Sequence, residues 1–135
     1  MASSRAIFKS PIAARHLART DTGTGVTVEF GRPHARRTGE FECPYRVRGL
    51  GRIKVGSALG EDSVQALQLA FEAVRLELEP YGAAVSWYGV AGETGFPHYV
   101  PYAFGTRVRK RLEAVLRREI ERELRGLKTR RSRRR

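Results

Sequence analysis

Apolar and polar residues follow two different periods along this chain, and the change from one to the other divides it into strands and helices. Val26, Val28 and Phe30 alternate with Thr27 and Glu29, the period of a half-buried strand. Phe41, Cys43, Tyr45 and Val47 alternate with Glu42, Pro44, Arg46 and Arg48, which predicts an antiparallel strand over 41–48. Pro44 lacks an N–H, so it is expected at an edge or a bulge. Gly49-Leu50-Gly51 makes a turn, and Arg52 to Val55 resumes the alternation with Ile53 and Val55 pointing inward. A weaker alternation over 12–19 sets Ile12, Ala14 and His16 against Arg15, Leu17 and Arg19. The short apolar segment Ala84 to Tyr88 is expected to return to the sheet.

The helical period begins after Asp62. Val64, Leu67, Phe71, Val74, Leu78 and Tyr81 recur at spacings of three and four and predict one apolar stripe. Asp62 is a good N-cap, Gln65 completes a capping box, and Pro80 with Gly82 ends the helix near residue 79. Burying such a stripe contributes roughly 1.5–3 kcal/mol per large side chain. A second helix is predicted from about 106 to 125, with Val108, Leu112, Val115, Leu116, Ile120 and Leu124 apolar and Gly126 at its end. Glu113 before Arg117 and Glu121 before Arg125 add favourable i,i+4 pairs.

The fold class that follows is α+β: an antiparallel β-meander of about four strands covered by one amphipathic helix, plus a long C-terminal helix and a basic tail. Residues 1–11 are expected to be flexible, 12–105 to form the α+β domain, 106–126 the C-terminal amphipathic helix, and 127–135 a disordered arginine-rich tail. The 135 residues suit one domain with an ordinary core. The single cysteine rules out an internal disulfide. No apolar run suggests a membrane span or a secretory signal, so the expected location is the cytoplasm. Arg5, Lys9, Arg15 and Arg19 without acidic neighbours give the start a faint likeness to a transit peptide, but Pro11 interrupts the helix that such a peptide needs.

Charge changes the picture at the C-terminus. Residues 107–135 hold 14 arginines and lysines against 4 glutamates, whereas residues 1–106 hold 12 basic against 10 acidic residues. Arginine is used far more than lysine, as a GC-rich genome would favour, but base composition does not explain why acids fail to balance the last residues. Lys128, Arg130, Arg131, Arg133, Arg134 and Arg135 are candidate phosphate contacts, with Arg109, Lys110, Arg117 and Arg118 extending the surface. This points to a small non-enzymatic protein contacting nucleic acid or a ribonucleoprotein. The alternative is a protein-interaction adaptor or accessory subunit that uses the C-terminal helix, as a homodimer or with another partner, and the aromatic connector. A membrane surface fits less well, because the helix lacks a broad Trp-bearing apolar face.

Gly31-Arg32-Pro33, Glu42-Cys43-Pro44-Tyr45-Arg46-Val47-Arg48-Gly49 and Asp62-Ser63-Val64-Gln65-Ala66-Leu67-Gln68-Leu69-Ala70 together resemble a family of short bacterial domains of unknown function. The resemblance covers roughly residues 12–88 and implies a bacterial, cytoplasmic protein with no catalytic residues to carry over.

Other candidate chemistry is thin. Trp87, Phe96, Tyr99 and Tyr102 are candidates for base stacking, although rings in such a connector more often lock it to the core. Cys43 with His16, His34 or His98 lacks a third orienting group. One cysteine and three scattered histidines have no zinc-ligand spacing, and Gly49-Leu50-Gly51 is not a phosphate loop. Glu77 and Glu79 point to different helix faces. No metal or cofactor is expected.

Overall fold

In the computed structural model, which describes residues 7–134, the chain divides into two compact units, one ending at Tyr99 and one beginning at Val100. The first unit is an antiparallel sheet with one helix on it. Its strands are β1 (Ala13–Arg19), β2 (Gly25–Phe30), β3 (His34–Ala35), β4 (Phe41–Arg48), β5 (Lys54–Gly60), β6 (Val85–Trp87) and β7 (Val90–Ala91). The sheet thus has seven strands where the sequence pattern suggests about four. β3 and β7 are two residues each and carry no readable alternation. Across the sheet, β4 lies between β5 on one edge and β2 with β3 on the other; β1, β6 and β7 follow beyond β2.

β2 and β3 are one strand interrupted by a bulge. Phe30 faces Tyr45, but His34 faces Glu42, so four steps along one strand match three along the other. Gly31-Arg32-Pro33 holds the extra residue, and the Gly31 N–H donates to the Pro44 carbonyl (2.8 Å). Pro44 therefore sits opposite the bulge, where its missing N–H costs no ladder bond. The insertion also inverts the strand: even-numbered Val26, Val28 and Phe30 face the core, whereas His34 faces the open side with Glu42.

Helix α1 (Ser63–Leu78) covers β4 and β5. Asp62 accepts from the Gln65 N–H (2.7 Å), and the Gln65 side chain accepts from the Glu61 N–H (2.7 Å), a reciprocal cap close to the one expected. A short 3-10 segment over Glu79–Ala84 follows. The buried stripe is Ala66, Ala70, Val74 and Leu78; Leu67 and Phe71 pack at its flank, and Val64 is exposed. The helix is rotated from the predicted stripe because the strand beneath it presents small residues. Gly56, Ala58 and Gly60 face α1, opposite Tyr45, Cys43 and Phe41. This lane corrects the inward placement of Ile53 and Val55, which point to the open face and are 57% and 55% exposed. A Cβ at Gly60 would overlap the Ala66 backbone nitrogen.

Leu17, Val26, Val28, Phe30, Cys43, Tyr45, Val47 and Val85 complete the core. On the open face Glu29 is buried, bonded by Arg46 (2.7 Å) and Arg48 (3.3 Å), and the Arg46 guanidinium stacks 4.6 Å from the Phe8 ring. Phe8 is buried too, so the stretch expected to be flexible is anchored there; residues 1–6 lie outside the described residues.

The second unit is a short 3-10 turn, Tyr102–Phe104, followed by helix α2 (Thr106–Arg133). α2 does not stop at Gly126 as predicted; it continues through the segment expected to be disordered. Arginine and lysine are good helix formers, and one interior glycine costs only about 1 kcal/mol. Arg130, Arg131 and Arg133 also complement the negative end of the helix dipole. No helix among the described residues is long and apolar enough to cross a membrane.

Candidate functional site

α2 has 28 residues, about 42 Å at 1.5 Å per residue, and none of them is buried. At 100° per residue, Val108, Leu112, Val115, Leu116, Ile120, Leu124 and Leu127 occupy one half of its circumference. Arg107, Lys110, Arg111, Arg117, Arg118, Arg122, Arg125 and Lys128 occupy the other half. The helix is therefore two-sided, apolar along one flank and basic along the other.

The candidate residues divide accordingly. Lys110, Arg117, Arg118 and Lys128 lie on the basic half. Arg109 lies on the apolar side and bonds Glu113 (2.9 Å). Arg130, Arg131, Arg133 and Arg134 crowd the helix end on the side that carries the apolar residues further up, and Arg135 lies outside the described residues. Arg122 pairs with Glu119; among the described residues no other ion pair ties an α2 arginine or lysine. Arg107, Arg111, Arg122 and Arg125 share the basic half although they were not among the predicted contacts. The same helical arithmetic that finds the apolar stripe places them there.

The candidate stacking residues do not form one platform. Arg15 lies between Trp87 (4.4 Å) and Phe96 (4.5 Å), so each of those rings is covered on one face by a guanidinium. Phe96 also meets Phe30 edge-on at 5.9 Å, within the core cluster. The Tyr99 N–H donates to Glu72 (3.3 Å), tying the connector to α1. Tyr102, in the second unit, is exposed, as are Tyr88 and Phe104. A shallow hollow of about 200 Å³ opens beside Arg15, Phe30, Phe71, Gly95 and Phe96.

Several titratable groups of the first unit are engaged in contacts within the fold. Arg75 and the Tyr99 N–H hold the Glu72 carboxyl below its usual range. Bonding to Glu77 raises the Lys54 ammonium. Burial pushes the Cys43 thiol up to about 11, and its Sγ–H points to the Gly31 carbonyl (3.6 Å), so at neutral pH it is neither ionised nor accessible. His16 stands on the opposite face of the sheet, and His34 faces Glu42 at 3.6 Å. Among the described residues no group of three or more His, Cys, Asp or Glu side chains is placed to hold a metal ion.

Sheet, single covering helix and buried Glu29–Arg46 pair define a small α+β domain, to which α2 adds a basic helix. The chain belongs to the DUF6968 family, a domain of unknown function, whose model matches residues 13–98. The match spans the sheet and α1 and leaves α2 outside it. Neither curated proteins nor solved structures give a match to the chain.

Proposed function

We propose that this protein is a non-enzymatic binding protein that holds nucleic acid, alone or within a ribonucleoprotein, through the basic half of α2 and its arginine-rich end. One observation carries the reading. From Arg107 to Lys128 eight cationic side chains line one side of a continuous helix, and Arg130 to Arg134 follow on the same helix without a carboxylate partner among the described residues. A straight helix fits the major groove of a duplex, about 12 Å wide, and guanidinium groups bond phosphate oxygens in pairs. Because the contacts are to phosphate, the expected binding tolerates sequence and weakens with salt.

Affinity for mixed-sequence DNA and RNA, measured against salt concentration, tests this. Each phosphate contact adds about −0.9 to the logarithmic salt slope on duplex DNA. Replacing Arg117, Arg118, Arg122 and Arg125 by glutamine should make the slope shallower by about 3.6. Removing residues 128–135 should lower affinity further, and an unchanged affinity after that truncation rules the mechanism out.

The apolar half of α2 supports a second reading, an adaptor that docks this helix on a protein. Co-purification separates the two: a partner retained after nuclease treatment favours the adaptor, and one lost with the nucleic acid favours the first reading.

A further inference from the structure

β5 is an uncovered sheet edge. Its outward direction follows from Pro44. The Pro44 carbonyl accepts from Gly31 on the β2 side of β4, so the polar backbone of Pro44 points away from β5. Ser57, which faces Pro44 across the ladder, must point its N–H and C=O the other way, off the sheet. Val55 and Leu59, two residues to either side, do the same. Among the described residues these three donors and three acceptors have no backbone partner. The usual protections of an edge are missing. β5 contains no proline, and its one charge, Lys54, is engaged by Glu77 (3.2 Å).

We propose that β5 pairs with β5 of a second copy of this chain, antiparallel about a two-fold axis at Ser57, to form one sheet across the dimer. The strand is its own complement in that register. Val55 falls opposite Leu59 of the other copy on the open face, where both are now exposed. Basic Arg52 lies in the bend before the strand and acidic Glu61 and Asp62 in the bend after it, so the symmetry brings the basic end of one copy beside the acidic end of the other, twice. A foreign strand would need the same order of charges to fit as well. α1 brings a second apolar element to the same edge. Phe71 meets Phe30 of β2 at 4.8 Å and so marks the flank facing the sheet centre. Leu69 and Leu76 lie on the opposite flank of the helix, and Leu76 is 52% exposed. The first unit is close to neutral, so like charge does not oppose its pairing. This inference is independent of the nucleic-acid reading.

The test is sedimentation of the full chain after nuclease treatment at high salt, beside a Ser57→Pro variant. Proline removes the central outward N–H but no bond within the fold, and its neighbour Gly56 lacks the Cβ that would clash with the ring. The expected mass is twice 15.2 kDa for the native chain and 15.2 kDa for the variant, with unchanged circular dichroism. Leu116→Asp with Ile120→Asp on α2 should leave the dimer intact. A native chain that stays monomeric at its highest soluble concentration overturns the proposal. So does a dimer that survives Ser57→Pro or is lost with the α2 variant instead. If Ser57→Pro does not fold, amide hydrogen exchange on the native chain decides. The Val55, Ser57 and Leu59 amides should be protected at high concentration and exchange faster on dilution; rapid exchange at every concentration refutes the dimer.

Discussion

The guanidinium of Arg15 rests 4.4 Å from the ring of Trp87, on the face of the sheet that otherwise builds the core. Arg15 faces Val28 in the β1–β2 ladder, so its side chain leaves an apolar row and turns along it. Trp87 and Phe96 flank the cation, and the Thr94 carbonyl accepts from its Nη1 (3.2 Å). The charge thereby closes the end of the core beyond α1 and pins the connector. Arg15→Ala should destabilise the first unit by about 1–2 kcal/mol, and Arg15→Lys by less, because an ammonium stacks poorly. Trp87 is the only tryptophan, so its fluorescence in a urea titration reports this site directly.

Glu72 pairs with Arg75 of the same helix (2.7 Å) and accepts from the Tyr99 N–H (3.3 Å), and the second bond ties α1 to the connector. Its folded carboxyl titrates below the ordinary 4.5, first because of the Arg75 hydrogen bond. A depressed acid stabilises the fold fully above its unfolded pKa and loses that stabilisation as pH falls through the folded one. Glu72→Gln should therefore cost about 1 kcal/mol at neutral pH and almost nothing in strong acid. Urea midpoints of the two proteins should converge as pH is lowered.

Cys43 has the opposite sign. Burial raises its thiol from 9.0 to about 11. The protonated thiol suits the fold below pH 9.0, and stability should decline as pH rises from there through about 11. A thiol reagent near pH 8 should label Cys43 only at the rate of unfolding, and denaturant should make labelling immediate. Fast labelling of the native chain would show that the thiol is reachable.

Gly60→Ala tests how closely α1 lies on β5. The added carbon would overlap the Ala66 nitrogen and come within 2.9 Å of the Gln65 carbonyl carbon. Both obstacles are backbone and cannot rotate aside. The expected loss is about 3 kcal/mol, at the upper end of overpacking costs.

At Gly126 the same substitution should do the reverse. A Cβ there meets nothing within 4 Å. Gly126→Ala should stabilise α2 by about 1 kcal/mol and raise its helical circular dichroism. An unchanged spectrum would mean that the helix is already saturated at that point.

How much of this was legible depends on what each residue had to signal. α1 was readable at both ends because Asp62 and Pro80 punctuate it. β4 was readable because all four inward residues are apolar. β5 was not, because its inward residues are Gly56, Ala58 and Gly60, whose task is to be small, while Val55 and Leu59 supply an apolar signal from the solvent side. Alternation there inverts the true orientation. β3 escaped notice because the bulge shifts its phase. Gly126 read as a stop because a glycine at a helix end and one inside a helix look alike in a sequence. The charged face of α2 was visible in composition, but its inclusion of Arg107, Arg111, Arg122 and Arg125 became plain only with a continuous helix.

The extra residue in Gly31-Arg32-Pro33 has a consequence for how this segment can vary between relatives. Side chains change sides at every step of a strand, so the loop's length works as a parity switch. Losing one residue would remove the bulge and match three steps with three, which keeps His34 and Arg36, now beside Glu42 at 3.6 and 3.7 Å, on the open face with that carboxylate. Losing two would instead turn them toward the helix side, with Phe30, and strand the carboxylate. Natural shortening here should accordingly be by the single bulge residue, which leaves the ladder regular and the pairing with Glu42 intact.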